Sequence, residues 1–261
     1  MRFVLAVGAV ALLAVGAQTE GQAQGRGGGR GGAQQPVSQT QTFDTTAGPV
    51  RITPLYHAST LIEADGKVIY MDLTPPVPTA NLRPADLVLI TDIHGDHMSA
   101  DMVTRVTKPG TVVIASQAVA QTITAAKPLA NGQSTTWDKW TIEAVPAYNL
   151  VRTNPQGQPF HAKGRGNGYV MTFGGMRFYF SGDTEGVPEM RALQNIDVAF
   201  LCMNLPYTMT PEEAAEAALA FKPKVVIPYH HAHYNVAVFI GKLAGSGIEV
   251  RPLNWYPRAG S

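Results

Sequence analysis

The most informative stretch of this chain is LITDIHGDH, residues Leu89–His97. An apolar run ends at Thr91, and four side chains of metal-ligand type then fall within six positions: Asp92, His94, Asp96 and His97. In extended backbone the first two project to the same side, and Gly95 permits a sharp turn after them. The spacing favours a loop that serves two adjacent metal ions. The competing interpretation is a polar loop whose histidines only form hydrogen bonds or cap the following helix.

Composition limits the chemistry that this loop can take part in. Of 261 residues, 45% are hydrophobic and 15% are charged, so we expect a substantial buried core. The net charge of +1 lacks the basic footprint of a nucleic-acid-binding protein, and no nucleic-acid partner is expected. Cys202 is the only cysteine, which excludes an intrachain disulfide and a cysteine-rich metal site. A transition-metal site must then consist of histidine and carboxylate, which suits zinc, manganese or iron.

The N-terminus has the layout of a secretory signal peptide. Arg2 precedes the apolar run Phe3–Ala14, and small residues follow it. We predict a signal peptide over residues 1–23, with cleavage after Ala17 or Ala23. The competing interpretation is a membrane anchor, but the run is shorter than the roughly 20 residues that span a bilayer. The mature protein is therefore expected to be periplasmic or secreted, without stable membrane insertion.

A low-complexity segment follows, and we assign residues 24–48 to it. It is rich in Gly, Gln and Arg and has few large apolar residues, so it cannot bury enough surface to offset the entropy of ordering. Its GRGGGRGG stretch resembles RNA-binding segments, but in an exported protein a flexible linker is favoured. One folded domain is predicted over 49–261.

Within that domain, strands come first as hairpins and later alternate with helices. The runs 168–173 and 176–181 are joined by two glycines and predict a hairpin. Helical patterns cover Gln117–Ala126 and Pro211–Phe221, and Thr210 is the expected N-cap of the second. The chain is therefore predicted to have a mixed α/β fold that is neither doubly wound nor a barrel.

Several motifs together resemble the metallo-β-lactamase superfamily. Leu89–His97 is similar to its T-H-x-H-x-D-H signature. In chain order, His57-Ala58-Ser59, the segment 179–184 and the segment 227–230 resemble further motifs of the branch that includes ascorbate-6-phosphate lactonase. The resemblance implies a four-layer αββα sandwich.

It also implies a site with two divalent metal ions, with zinc as the main expectation. By position, His94 belongs to the first ion and Asp96, His97 and His230 to the second, while Asp183 bridges both. Water bound to the metal would become a hydroxide nucleophile. Asp96, besides binding metal, is assigned a catalytic role in orienting that water.

The chain departs from the family pattern at two positions. Asp92 stands where the family has its first histidine, and Asn149 stands where relatives often have a third histidine of the first site. We predict that Asp92 binds metal and that His161 supplies the missing ligand from a longer loop. The alternative is that Asn149 binds through its carbonyl oxygen. A first site with a carboxylate and two histidines would favour manganese or iron over zinc.

We assign the remaining candidates to substrate contacts: His57, Tyr207, His231 and His233. Each could instead have a structural role. The leading hypothesis is an exported metal-dependent hydrolase that uses a metal-bound hydroxide on an ester, lactone, amide or phosphoester bond of a small molecule. The alternative is a non-catalytic metal- or ligand-binding module on the same fold, which the metal content would distinguish.

Overall fold

The structure is a computed structural model that describes residues 39–232 and 236–257. The predicted signal peptide, most of the predicted linker and His233 lie outside the described residues. Within those two ranges, no helix has the length and apolar character needed to cross a membrane.

The first half of the described chain forms a seven-stranded sheet with its strands in sequence order. Strands β1 to β4 pair antiparallel, and β4 to β7 pair parallel. The strands are β1 Gln41–Thr45, β2 Gly48–Tyr56, β3 Ser59–Ala64, β4 Lys67–Met71, β5 Leu87–Ile90, β6 Val112–Ala115 and β7 Ala126–Pro128.

The second half repeats this plan in a second seven-stranded sheet. Its first four strands pair antiparallel and its last four pair parallel, again in sequence order. The strands are β8 Ser134–Trp137, β9 Trp140–Ala147, β10 Gly166–Phe173, β11 Met176–Phe180, β12 Val198–Cys202, β13 Val225–Tyr229 and β14 Glu249–Val250. The two halves share this topology, although the sequence shows no repeat strong enough to recognise.

Helices cover the outer faces of the two sheets. They are α1 Ala100–Val106, α2 Gln117–Ala120, α3 Pro188–Arg191, α4 Pro211–Phe221 and α5 Ala237–Leu243, with a 3-10 turn at Thr79–Asn81. Neighbouring residues of β11 show the layering. Phe178 packs on Phe43 of the first sheet with ring centroids 5.6 Å apart, whereas Tyr179 contacts Phe221 of α4. A separate core lies between the first sheet and α1 and α2. The predicted four-layer αββα sandwich is confirmed.

Two predicted boundaries are wrong. The linker does not extend to residue 48, because β1 at Gln41–Thr45 pairs with β2 and buries Phe43. The helix predicted over Gln117–Ala126 ends at Ala120, and Ala126 already belongs to β7. Tertiary pairing with β6 overrides the helical pattern there. The helix Pro211–Phe221 has its predicted bounds, and Thr210 caps it in a reciprocal capping box with Glu213.

The fold positions functional side chains at the carboxyl ends of strands. His57 follows β2, Asp72 follows β4, and His230 follows β13. All three have a positive φ, of 55°, 48° and 47°, a conformation that non-glycine residues rarely adopt. Such backbone strain concentrates at functional sites.

Candidate metal centre

Three groups of donor side chains converge near these strand ends. The first cluster is Asp92, His94 and His161, whose donor atoms lie within 4.8 Å of one another. His94 Nδ1 is 2.8 Å from Asp92 Oδ2, and His161 Nε2 is 3.9 Å from the same oxygen. Donors that share one ion at about 2.1 Å lie about 3.4 Å apart in a tetrahedral site. The spacing in the first cluster is of that size.

The second cluster is His57, Asp96 and His230. Asp96 Oδ2 is 3.2 Å from His57 Nε2 and 3.3 Å from His230 Nε2. The rings of His57 and His230 have centroids 3.8 Å apart. His57, which the sequence assigned to substrate contacts, is thus placed among the donors.

The third group consists of His97, Asp183 and His230, and it shares His230 with the second cluster. Asp183 also approaches the first cluster. Its Oδ2 is 3.0 Å from His161 Nε2 and 3.2 Å from His97 Nε2, and its Oδ1 is 3.6 Å from His230 Nε2. Gly182 makes this placement possible. Its φ is +61°, and a Cβ there would lie 2.7 Å from the Asn167 carbonyl oxygen, so only glycine fits the turn that presents Asp183.

The donor atoms at the centre fit a metal ion better than a hydrogen-bond network. His97 Nε2, His161 Nε2 and Asp183 Oδ1 are buried and have no hydrogen-bond partner among the described residues. Buried polar atoms without partners are costly and call for an explanation. Two imidazole nitrogens facing one carboxylate at 3.0–3.2 Å without hydrogen-bond geometry are what a shared cation would explain.

Electrostatics keep the carboxylates ionised and therefore ready to bind a cation. Burial opposes ionisation of Asp183, but His230 and His97 hold its pKa well below the usual range. His230 and His57 likewise lower the pKa of Asp96 against the effect of burial. Burial alone would lower the pKa of His97, yet Asp183 and Asp72 on its two sides raise it well above the usual value.

Three of the histidines have their Nδ1 atoms bound to oxygens, so that Nε2 faces the centre. For His97 the partner is Asp72 Oδ2 at 2.8 Å, for His161 it is Asn149 Oδ1 at 2.8 Å, and for His57 it is the Tyr256 hydroxyl at 2.8 Å. Such contacts fix the tautomer and orientation of a metal-binding imidazole.

Both the oxygen and the nitrogen of the Asn149 side chain form hydrogen bonds. Its Oδ1 also accepts the His161 backbone N–H at 2.6 Å, and its Nδ2 donates to Glu185 Oε1 and to the Tyr207 carbonyl. The amide therefore supports His161, and its oxygen already contacts both the backbone N–H and Nδ1 of that residue. This geometry favours His161 over Asn149 as the donor of the first cluster.

Arg165 clamps Asp92. Its Nε donates to Oδ1 at 3.2 Å and its Nη2 to Oδ2 at 3.0 Å, a two-pronged contact that fixes the carboxylate plane. Burial opposes ionisation of Asp92, whereas His94 and Arg165 lower its pKa. The charge that Asp92 brings in place of a neutral histidine is thereby compensated.

A cavity of about 290 Å³ opens onto this centre. Its lining consists of His94, Asp96, Phe160, His161, Asp183, Asn204 and Tyr207. Tyr207 is therefore where the sequence predicted a substrate contact. His231 lies outside this lining, against the Tyr256 ring, and burial together with His230 lowers its pKa to about 4. Its role in substrate binding stays a prediction.

Comparison with known proteins identifies the family. A model described as a beta-lactamase superfamily domain matches residues 51–230. The chain belongs to the metallo-β-lactamase superfamily. Within this superfamily, the chain is 29% identical over 190 residues to a metal-dependent hydrolase of Thermococcus kodakarensis. The matched region covers 70% of this chain and 84% of that protein.

Solved structures agree with this membership. A Parabacteroides distasonis protein described as a metal-dependent hydrolase is 38% identical, with a TM-score of 0.78 over 82% of this chain and 98% of its own. A metallo hydrolase of Ignicoccus hospitalis is 25% identical, with a TM-score of 0.64, and the match covers 78% of this chain and 94% of that protein. The chain is a metal-dependent hydrolase of the superfamily, as the sequence predicted. The narrower likeness to ascorbate-6-phosphate lactonase stays a prediction.

Four residues that organise the centre were not predicted from the sequence: Asp72, Arg165, Glu185 and Tyr256. Asp72 had a signal, because it is an acid directly after the apolar strand β4 and is fully buried. The other three carry no local signal, since their partners lie far away in sequence.

Proposed function

We propose that this chain is an exported hydrolase that holds two divalent metal ions and cleaves an ester, lactone, amide or phosphoester bond in a small molecule. Asp92, His94 and His161 would hold one ion. Asp96, His97 and His230 would hold the other, with His57 as a further donor beside Asp96, and Asp183 would contact both. The observation that supports this most is the set of buried, partnerless donor atoms around Asp183.

The ions, when bound, supply Lewis acidity and acidify the attacking water. The protein's contribution is orientation and charge. Asp96 and Asp183 both line the cavity, but the Asp96 side chain is 43% exposed and the Asp183 side chain only 4%. Asp96 is therefore the carboxylate that can reach a water on the substrate side. His57 and His230 contact its Oδ2, whereas Oδ1 lies 3.9 Å from His97 Nε2, beyond hydrogen-bond distance, so that Oδ1 can orient that water.

A non-catalytic binding module has lost its main support. That alternative rested on Asp92 and Asn149 as departures from the family motif. Asp92 now has a charge-compensating partner in Arg165, and Asn149 orients the donor His161. Both departures are thus consistent with a functional centre.

Zinc is the proposed metal, with manganese and iron as the alternatives. The donor set holds three carboxylates, Asp92, Asp96 and Asp183, beside the imidazoles. This proportion of oxygen is harder than an all-histidine site and brings manganese and iron within range.

Export is proposed on the sequence alone, from Arg2 and the apolar run behind it. N-terminal sequencing of protein recovered from the exported fraction should give a start at Gln18 or Gln24. An intact Met1 would contradict it.

Metal analysis combined with an activity panel tests the hydrolase proposal. We expect about two equivalents of metal per chain, with turnover of at least one ester, lactone, amide or phosphoester that a chelator abolishes and added metal restores. A chain that binds no metal under these conditions would overturn the proposal.

A further inference from the structure

The loop over residues 149–161, here called the mouth loop, borders the cavity and is anchored from within. Glu185 is buried, and its carboxylate accepts the backbone N–H groups of Leu150, Val151 and Arg152 at 3.1, 3.2 and 2.8 Å. At the other end, the Asn149 N–H donates to the His161 carbonyl at 2.9 Å. The base of the loop is therefore fixed by the protein interior.

This anchoring leaves apolar side chains facing solvent. Leu150 is 52% exposed and Val151 is 75% exposed. Tyr207 lines the cavity and is 45% exposed, and its ring meets the cavity-lining Phe160 edge to face at 5.0 Å. We call Phe160 and Tyr207 the apolar rim. The other large exposed hydrophobic residues in the described ranges lie elsewhere, on α4 and α5: Leu219, Val238 and Ile240.

The cations around the mouth are all neutralised. Arg152 pairs with Glu185 and Glu213, and Arg165 with Asp92. Lys163 pairs with Glu189 at 2.7 Å. Among the described residues, no Lys or Arg lines the cavity. A substrate with its own phosphate or carboxylate would find no side-chain cation there, while an apolar group would find the aromatic pair.

We propose that the apolar rim binds a neutral apolar acyl or aryl group, and that the substrate is a carboxylic ester, open or cyclic, that carries this group. The inference rests on the proposed function. In the reaction, the bond between the acyl carbon and the alcohol oxygen breaks, and a bond from that carbon to a water oxygen forms. One water proton goes to the leaving alkoxide and the other to solvent. No oxidant, reductant or second substrate is needed.

Chain-length dependence provides the first test. With the metal-loaded full chain, kcat/KM is measured for p-nitrophenyl acetate, butyrate and octanoate, and for p-nitrophenyl phosphate and bis(p-nitrophenyl) phosphate. Each methylene buried on the rim should raise kcat/KM by up to about fourfold, so octanoate should exceed acetate by at least about tenfold. The two phosphate esters should be the poorest substrates. Faster cleavage of a phosphate ester, or no rise with chain length, would overturn the inference.

Rim variants provide the second test. Phe160→Ala and Tyr207→Ala should each lower the octanoate-to-acetate preference about tenfold, mainly through KM for octanoate, because they remove apolar contact area. Ile240→Ser on α5 is the matched control, since it removes an exposed apolar side chain far from the mouth loop in sequence, and it should keep the preference. An unchanged preference in both rim variants would overturn the inference.

Metal content separates failure of this inference from failure of the proposed function. Preparations that hold two ions but show no preference for apolar esters, or that cleave no ester, would overturn the substrate class alone. Preparations without bound metal would overturn the proposed function itself.

Discussion

The two donor clusters are positioned by different parts of the fold. In the second cluster, His57 and His230 directly follow strands, so the sheet backbone sets their positions. In the first cluster, His161 lies on the mouth loop and depends on Asn149, and Asp92 depends on Arg165. The second cluster thus depends mainly on strand ends, with the Tyr256 hydroxyl as a side-chain partner of His57, whereas the first cluster depends mainly on side-chain partners. Substitutions of those partners should therefore affect the clusters unequally.

Replacing Asp183 should weaken metal binding at both clusters, because this carboxylate contacts a histidine of each. We expect Asp183→Ala to lose both metal ions and to lower kcat/KM by at least about a thousandfold. Metal analysis and steady-state kinetics measure this, and circular dichroism checks the fold. Asp183→Asn, which keeps the shape without the charge, is the matched variant and should lose nearly as much. Full metal content in either variant would show that Asp183 is not shared.

Replacing one histidine from each cluster should separate the two sites. His161→Ala should reduce bound metal toward one equivalent and abolish most activity while the fold stays intact, since a catalytic ion usually needs about three protein ligands. His230→Ala should also leave about one equivalent, but of the other ion. Each variant then keeps a different site, and competition with a chelator distinguishes the two sites by their affinity for metal. If His161→Ala keeps full metal and full turnover, Asn149 becomes the better candidate.

Loss of the amide that orients His161 should have a smaller effect. Asn149→Ala should weaken metal binding at the first cluster by about tenfold and leave the second cluster unchanged, as is typical when a partner of a metal-binding imidazole is removed. Asn149→Asp keeps the acceptor for His161 Nδ1 and should recover part of the affinity. A larger loss in Asn149→Ala than in His161→Ala would reverse the two assignments.

The smallest effect is expected from the clamp on Asp92. Arg165→Gln should weaken metal binding at the first cluster by less than about tenfold, because Asp92 stays buried and still contacts His94. Arg165→Lys keeps the charge but not the two-pronged geometry, so it tests whether charge or orientation matters more. If a chelator titration showed metal binding weakened equally at both clusters, Arg165 would not act on the first cluster alone.

The same division explains what the sequence could predict. His94, Asp96, Asp183 and His230 could be proposed as metal ligands because each comes soon after an apolar strand, and such strands can be recognised from local pattern. The antiparallel-then-parallel order of each sheet, and the pairing of β1 and β7, depend on contacts between distant segments and were not predicted. Arg165 and Glu185 were missed for the same reason, since each acts on a partner distant in sequence.

The way Glu185 holds the mouth loop has a consequence for how this enzyme could diversify. The loop tip forms its own turn, in which the Asn154 side chain accepts the backbone N–H groups of Gln156 and Gln158. Because Glu185 and Asn149 fix the base, the tip can change length without moving His161. The segment between Asn154 and Gln158 is therefore a place where insertions can change which molecules enter the cavity. The residues of the catalytic centre need not change with it.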